Sequence, residues 1–305
     1  MEANASVILD KKARARAIWA KRLDSVSSFF KILFRNKLTG FSVIFILLLV
    51  IIAVFAPQLA PYPEEGEGWI NLDNVLLAPS WEHPFGTDDM GRDILSRMIY
   101  GTRISLTVST ITILVAMVVA LPIGLVSGYF GGVIDEIMMR VTDVFLSFPT
   151  LLIAILIASF LGQGIDKACI AIAIAWWPWY ARVVRAQTIA IKERPYIKAS
   201  QCIGTNKWYI MFRHILPNTL APVIIQASMD MGSVIITCAS LSFIGLGAQI
   251  PTPEWGLIIS SSRKFILDAW WYSTIPGLVI LFTVLSFNLL GDGMREVLDP
   301  RTRMR

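Results

Sequence analysis

Few residues in this chain have both the type and the setting to do chemistry. Asp230 is a lone carboxylate well inside an apolar stretch, with Gln226 one helical turn earlier. A carboxylate taken out of water must find a cavity or a partner. Asp230 therefore faces a solvated path, or it makes a helix–helix hydrogen bond. His83, Asp88 and Asp89 are close enough in sequence to suggest a cation, but one histidine beside a proline lacks a second nitrogen or sulfur ligand. Helix caps and local salt bridges explain those charges better, and no metal site is assigned. Cys169, Cys202 and Cys238 are isolated thiols without metal-ligand spacing, so a disulfide framework is not expected.

Equally informative is what the sequence lacks. It contains no Gly-x-x-x-x-Gly-Lys-Ser/Thr loop to cradle a nucleotide phosphate. It has no Gly-x-Ser-x-Gly elbow for a serine nucleophile and no His-Glu-x-x-His pair for zinc. No catalytic residue is assigned, and no cofactor is expected on this chain.

The elements that must position these residues are long apolar runs. Of the 305 residues 55% are hydrophobic and only 16% charged, which places the chain in a membrane. The net charge of +5 sits in segments flanking the apolar runs, as topology signals do, and makes no basic stripe for nucleic acid. Six crossings follow: 38–60, 104–127, 144–161, 168–181, a stretch from 220 that breaks near Gly245 and Gly247, and 271–290. Residues 1–37 form a basic cytoplasmic segment, with an amphipathic helix expected around Trp19, Phe29, Phe30, Ile32 and Leu33. An acidic loop over 61–98 lies outside, a core spans 99–293, and a cytoplasmic tail covers 294–305. A second external segment, 248–270, is expected to hold a short re-entrant helix. The turn at 127–132 reverses the chain, and Glu136, Arg140 and Asp143 are spaced to pair on one helix face. Lys167, Arg182 and Arg185 must snorkel for the short run 168–181 to cross.

Between the fourth and fifth crossings lies an interrupted amphipathic segment, 193–218. Pro195 suits a first helical turn, Ala199 and Ser200 keep one face small, and Gly204 can take the positive φ that ends a helix. Thr205 or Asn206 then caps a second helix carrying Trp208, Ile210, Met211 and Phe212, which Pro217 stops. From pattern alone this segment is either an amphipathic loop on the lipid surface or a compact knob for a partner to grip.

The order Ala199-Ser200, Gly204, Leu216-Pro217 resembles the coupling loop of ATP-binding-cassette importer permeases, which reads Glu-Ala-Ala, three residues, Gly, and a later Leu-Pro. Here Lys198 stands in place of the glutamate and Ser200 in place of the second alanine. The runs F-G-T-D-D-M-G-R-D-I-L-S-R, G-T-R-I-S-L, L-S-F-I-G-L-G-A-Q, P-T-P-E-W-G and F-N-L-L-G-D-G-M-R-E-V-L-D-P extend the resemblance over about 31–303. They are similar to the peptide/nickel permeases of that superfamily, above all to the second permease subunit of dipeptide and glutathione systems.

The resemblance implies an all-α integral membrane protein with six transmembrane helices and cytoplasmic coupling helices, the type I importer fold. It implies a homologous second permease, two ATP-binding subunits that carry ATP and Mg, and an extracytoplasmic substrate-binding protein. It places the chain in a bacterial or archaeal cytoplasmic membrane. Contact with the ATPases falls to Tyr196, Ala199, Ser200, Gly204, His214, Leu216 and Pro217, with Gln226 and Asp230 on the substrate path. Small peptides are the implied cargo, with glutathione or chelated nickel as alternatives. A secondary transporter driven by an ion gradient through Asp230 is the competing reading, and the sequence shows no inverted repeat to support it.

Overall fold

The computed structural model describes residues 33–298, so Trp19, Phe29, Phe30 and Ile32 of the expected amphipathic helix and the arginines of the extreme tail lie outside the described residues. Helix α1 (Lys37–Val54) starts where the Asn36 side chain accepts from the Leu38 amide at 3.0 Å, satisfying an amide that the helix cannot serve. Pro57, in the next single-turn helix, turns the chain away. After a folded segment over 60–93 comes α2 (Ile94–Phe130), capped by Asp93 through the Ser96 amide at 2.7 Å. Helices α3 (Gly132–Leu146), α4 (Thr150–Leu161), α5 (Ile165–Lys192) and the short α6 (Pro195–Cys202) follow. Helix α7 (Leu216–Phe243), the short α8 (Trp255–Ser262) and α9 (Trp270–Leu298) complete the bundle. Among the described residues there is no strand, and a single isolated bridge joins Thr87 and Asp93.

Four stretches are long and apolar enough to cross a membrane: Lys37–Val54, Ile94–Phe130, Lys207–Phe243 and Trp270–Glu296. A fifth results if α3 and α4, bent by 87° at Ser147–Pro149, count as one broken span. The expected straight crossing over 144–161 is thus corrected. Phe148-Pro149 lies at the bend, because proline disfavours the helical conformation of the residue before it. The run expected over 168–181 lies within α5, whose apolar character is diluted by Trp176, Trp177, Trp179 and two arginines. Length and hydropathy therefore support four or five crossings rather than six.

Three further expectations change. The crossing expected from 104 begins ten residues earlier, at Ile94, and α2 reaches about 55 Å at 1.5 Å per residue. That is nearly twice a bilayer core of about 30 Å. Ser127–Phe130 stay helical, and the reversal falls on Gly131 and Gly132, whose φ of 68° and 58° suit glycine alone. Arg182 and Arg185 each find a carboxylate on α3 while staying partly exposed. Arg182 on α5 pairs with Asp143 on α3 at 2.5 Å, so Asp143 is not the partner of Arg140. Arg140 retains only Glu136, at 3.7 Å.

The centre of the bundle is α5, packed along α2, α4 and α7. It presents alanines at 168, 171, 173, 175 and 181, all buried. Gly124 of α2 lies so close that a Cβ there would collide with the Ala181 carbonyl and Val184. Small residues let helix backbones approach where lipid supplies no hydrophobic drive between them. A second core joins α1, the start of α2, α8 and α9 through Leu49, Ile94, Met98, Trp255, Trp271 and Phe287. Outward faces of α1, α2, α4 and α9 carry exposed Leu48, Val118, Phe160 and Leu281, an apolar exterior that fits lipid or another helix.

The Ile94 end of α2 is closed by the segment 60–93. Arg92 is buried and donates to Asp88 at 2.7 Å, and Arg97 lies 3.5 Å from the same carboxylate. His83 Nδ1 meets Asp93 at 3.0 Å, and the Asp93 amide donates to Glu65 at 2.8 Å. The Tyr272 hydroxyl donates to Asp89 at 2.8 Å, tying this cap to α9. His83, Asp88 and Asp89 thus meet Asp93, the two arginines with backbone amides, and the Tyr272 hydroxyl in turn.

Candidate functional site

The opposite end of α2, at Phe130, meets the elbow made by α6 and the residues before α7. Helix α6 has Pro195 in its first turn and ends at Ile203. Gly204, at φ 77°, takes the left-handed conformation. Its amide donates to the Gln201 carbonyl at 3.0 Å, and the Thr205 amide donates to that of Ser200 at 3.1 Å. This pair of bonds is a Schellman turn, which satisfies two carbonyls that the helix end would leave open. Asn206 then caps the next turn through the Trp208 amide at 2.8 Å.

Past Tyr209 the chain widens into a π-helix over Ile210–Ile215 and runs straight into α7. Pro217 does not stop this helix, contrary to the sequence expectation. In the wide turn the Leu216 amide reaches back to Met211, so the proline ring enters where the i→i−4 ladder is already interrupted.

Four side chains weld the elbow to the bundle. Ile197, Ile210, Met211 and Ile215 have no exposed surface and belong to the main core. The other face is bare: Ile203 is 81% exposed, and Tyr196, Trp208, Tyr209 and Phe212 each show about half their surface. Trp208 and Phe212 stack at 6.2 Å, and Phe130 of α2 meets Trp208 edge-on at 6.0 Å. Glu193 and Lys198 pair at 2.7 Å on the surface, and that bond holds the Glu193 carboxyl below its usual range. A cavity of about 490 Å³ lies behind the elbow, lined by Lys192, Gln201, Gly204 and Lys207 among others.

Of the residues singled out in the sequence, Tyr196, Ala199, Gly204 and Pro217 are exposed, and Ser200, His214 and Leu216 are half-buried. All seven gather at this end. His214 packs edge-on against Tyr209, and its carbonyl accepts from Asn218 at 2.6 Å.

Gln226 and Asp230 sit elsewhere. Asp230 lies midway along α7, about 21 Å from Leu216 at 1.5 Å per residue. Gln226 Nε2 donates to Asp230 Oδ1 at 3.1 Å. Oδ2 is buried and makes no hydrogen bond of ordinary geometry, and neither does the nearby Tyr180 hydroxyl. A cavity of about 170 Å³ opens on the carboxylate, lined by Leu146, Thr150, Ala175, Trp176 and Trp179. Sequence reading assigned those tryptophans no part in a site. Asp230 follows Trp176 and Trp179 by 54 and 51 positions, which left no signal to link them.

A family model described as binding-protein-dependent transport system inner membrane component matches residues 120–304. The N-terminal TM domain of oligopeptide transport permease C matches residues 26–79. The dipeptide transport system permease protein DppC of Alkalihalophilus pseudofirmus is 44% identical over 276 residues, 90% of this chain and 89% of that one. The glutathione transport system permease protein GsiD of Pectobacterium atrosepticum is 40% identical, covering 99% of this chain and 97% of its own length. Among solved structures, an inward-facing form of the MetNI methionine ABC transporter superposes with a TM-score of 0.55 at 18% identity, over 67% of this chain and 97% of that one.

Proposed function

The chain belongs to the family of binding-protein-dependent transport system inner membrane components, the ABC transporter permeases, and from that premise we propose that it moves small peptides through the membrane by alternating access. ATP is bound and hydrolysed, with Mg, on two separate subunits that grip the elbow around Gly204. A homologous permease completes the path, and an extracytoplasmic binding protein delivers the cargo to the Ile94 end. Dipeptides and glutathione, the cargoes named for the relatives, are the substrate class.

The observation that carries this reading is the elbow itself. One face is anchored by four fully buried side chains, while the other offers aromatic surface ringed by Arg194, Lys198, Lys207 and Arg213. A rigid lever needs both. Force applied at Tyr196 and Trp208 passes through Ile197, Ile210 and Ile215 into α5 and α7 without first deforming a loop. The charge distribution supports the orientation: basic residues surround the elbow, and Glu64, Glu67, Asp73 and Glu82 surround the other end.

Gly204→Trp tests the proposal. A Cβ at Gly204 meets nothing within 4 Å, so the substitution starts from an open, exposed turn, at the cost of a side chain in a left-handed conformation. Loss of the ATP-binding subunits on mild-detergent purification is expected, with the helical content unchanged. Normal recovery of those subunits with the variant would overturn the coupling role.

A carrier driven by an ion gradient through Asp230, the competing reading, does not fit the permease family to which the chain belongs. Uptake powered by ATP and indifferent to ionophores would eliminate it.

A further inference from the structure

We propose that the cavity at Asp230 is a receptor for a primary ammonium group, the free α-ammonium of a peptide cargo, at the middle of the membrane. The inference rests on the importer reading and adds the part of the cargo that is recognised there.

The geometry points to a cation of limited size. Asp230 makes no ion pair among the described residues, although it sits midway along a transmembrane helix. Gln226 occupies Oδ1, and beside Oδ2 stands only the Tyr180 hydroxyl, with no bond of ordinary geometry between them. The Tyr180 hydroxyl beside it supplies a dipole but no charge, so a carboxylate in apolar surroundings still lacks its counter-ion. The lining adds Trp176 and Trp179 from α5, and indole is the side chain best suited to a cation over its ring face. Thr150 adds a hydroxyl, and no lysine or arginine lines the space.

At about 170 Å³ the cavity is several times the volume of one water, about 30 Å³. It takes an ammonium with its α-carbon and side-chain stub, and leaves the rest of a peptide outside. A dipeptide and glutathione both carry such a group. The two walls also come from α5 and α7 with the bend between α3 and α4 at the edge, so a shift of these helices would change the grip.

The test uses the assembled transporter purified in detergent without its binding protein, titrated while tryptophan fluorescence is followed. Alanyl-alanine and ethylammonium should each give a saturable change. N-acetyl-alanyl-alanine, which lacks the ammonium, should bind at least tenfold more weakly. Asp230→Asn keeps the size and the Gln226 contact and should weaken alanyl-alanine at least tenfold, whereas Asp230→Glu should retain binding. Equal binding of the acetylated peptide, undiminished binding by Asp230→Asn, or no saturable change in the wild type would overturn the proposal. So would gel filtration showing that Asp230→Asn separates the permease subunits, since the carboxylate would then serve a partner chain. ATP-driven uptake by proteoliposomes with the binding protein present is measured in parallel. If uptake itself is absent the importer reading fails; if uptake persists without ammonium discrimination, only this inference fails.

Discussion

Arg185 on α5 grips Asp135 on α3 with two parallel hydrogen bonds, Nε to Oδ1 and Nη2 to Oδ2, both 2.6 Å. The Ser127 hydroxyl of α2 donates to the same Oδ1, so three helices converge on one carboxylate. The forked guanidinium fits a carboxylate in a way that a single ammonium does not. Both side chains are only partly buried, which limits what the pair contributes. Arg185→Lys should therefore cost about 1 kcal/mol and Arg185→Ala about 2 kcal/mol. Thermal unfolding in detergent would register the order; equal midpoints for Lys, Ala and wild type would show that the pair is decorative.

Asp93 has three tasks at the other end. Its carboxylate accepts from the Ser96 amide and hydroxyl, both at 2.7 Å, and faces His83 at 3.0 Å. Asp93→Ala strips the N-cap of a 37-residue helix and strands a buried imidazole. A cap alone is worth about 1 kcal/mol, and a buried group left unpaired about 1–3 more. Asp93→Ala is expected to lower stability by about 2–4 kcal/mol and to expose the 60–93 segment to protease. Asp93→Asn, which keeps the cap acceptor, should lose roughly half as much. Protease resistance unchanged in both variants would mean that other contacts hold the segment down.

Much of this architecture was legible in the sequence because its signals are local. Pro195, Gly204 and Asn206 each mark a turn by their own backbone chemistry, and each sits where its type demands. The break at Gly245 and the short helix at Trp255–Ser262 were readable for the same reason. What escaped reading depended on partners far along the chain. Asp143 has an arginine three residues before it, at Arg140, yet pairs with Arg182, 39 positions away, because α3 and α5 lie side by side. Pro217 reads as a stop, and only the π-turn before it makes room for its ring. Trp176 and Trp179 carry no local signal of a site, and only α7 brings Asp230 to the cavity they line.

Strain and obstruction separate at Gly204. Its φ of 77° costs a side chain about 1–2 kcal/mol, while the space around it is open. Gly204→Ala should therefore lower the unfolding midpoint slightly and leave ATPase-subunit binding intact, unlike the bulky substitution. Binding lost equally in Gly204→Ala and Gly204→Trp would mean that the turn conformation, and not the free surface, is what the partner requires.

Ile197 carries the last prediction because it touches the core and not the exposed face of the elbow. Its side chain is wholly buried, and truncation leaves a cavity between α6 and the bundle. Buried Ile→Ala changes cost about 2–5 kcal/mol; at the edge of a core, where the chain can settle inward, the lower half of that range is expected. The exposed residues Tyr196, Ile203 and Trp208 are untouched, so the ATP-binding subunits should still associate with Ile197→Ala. A loosened anchor transmits less of the lever's motion, so ATP should be hydrolysed with fewer cargo molecules moved per ATP. Measuring both rates in proteoliposomes gives that ratio directly. An unchanged ratio, with stability lowered as expected, would show that force reaches the bundle through Ile210, Met211 and Ile215 alone.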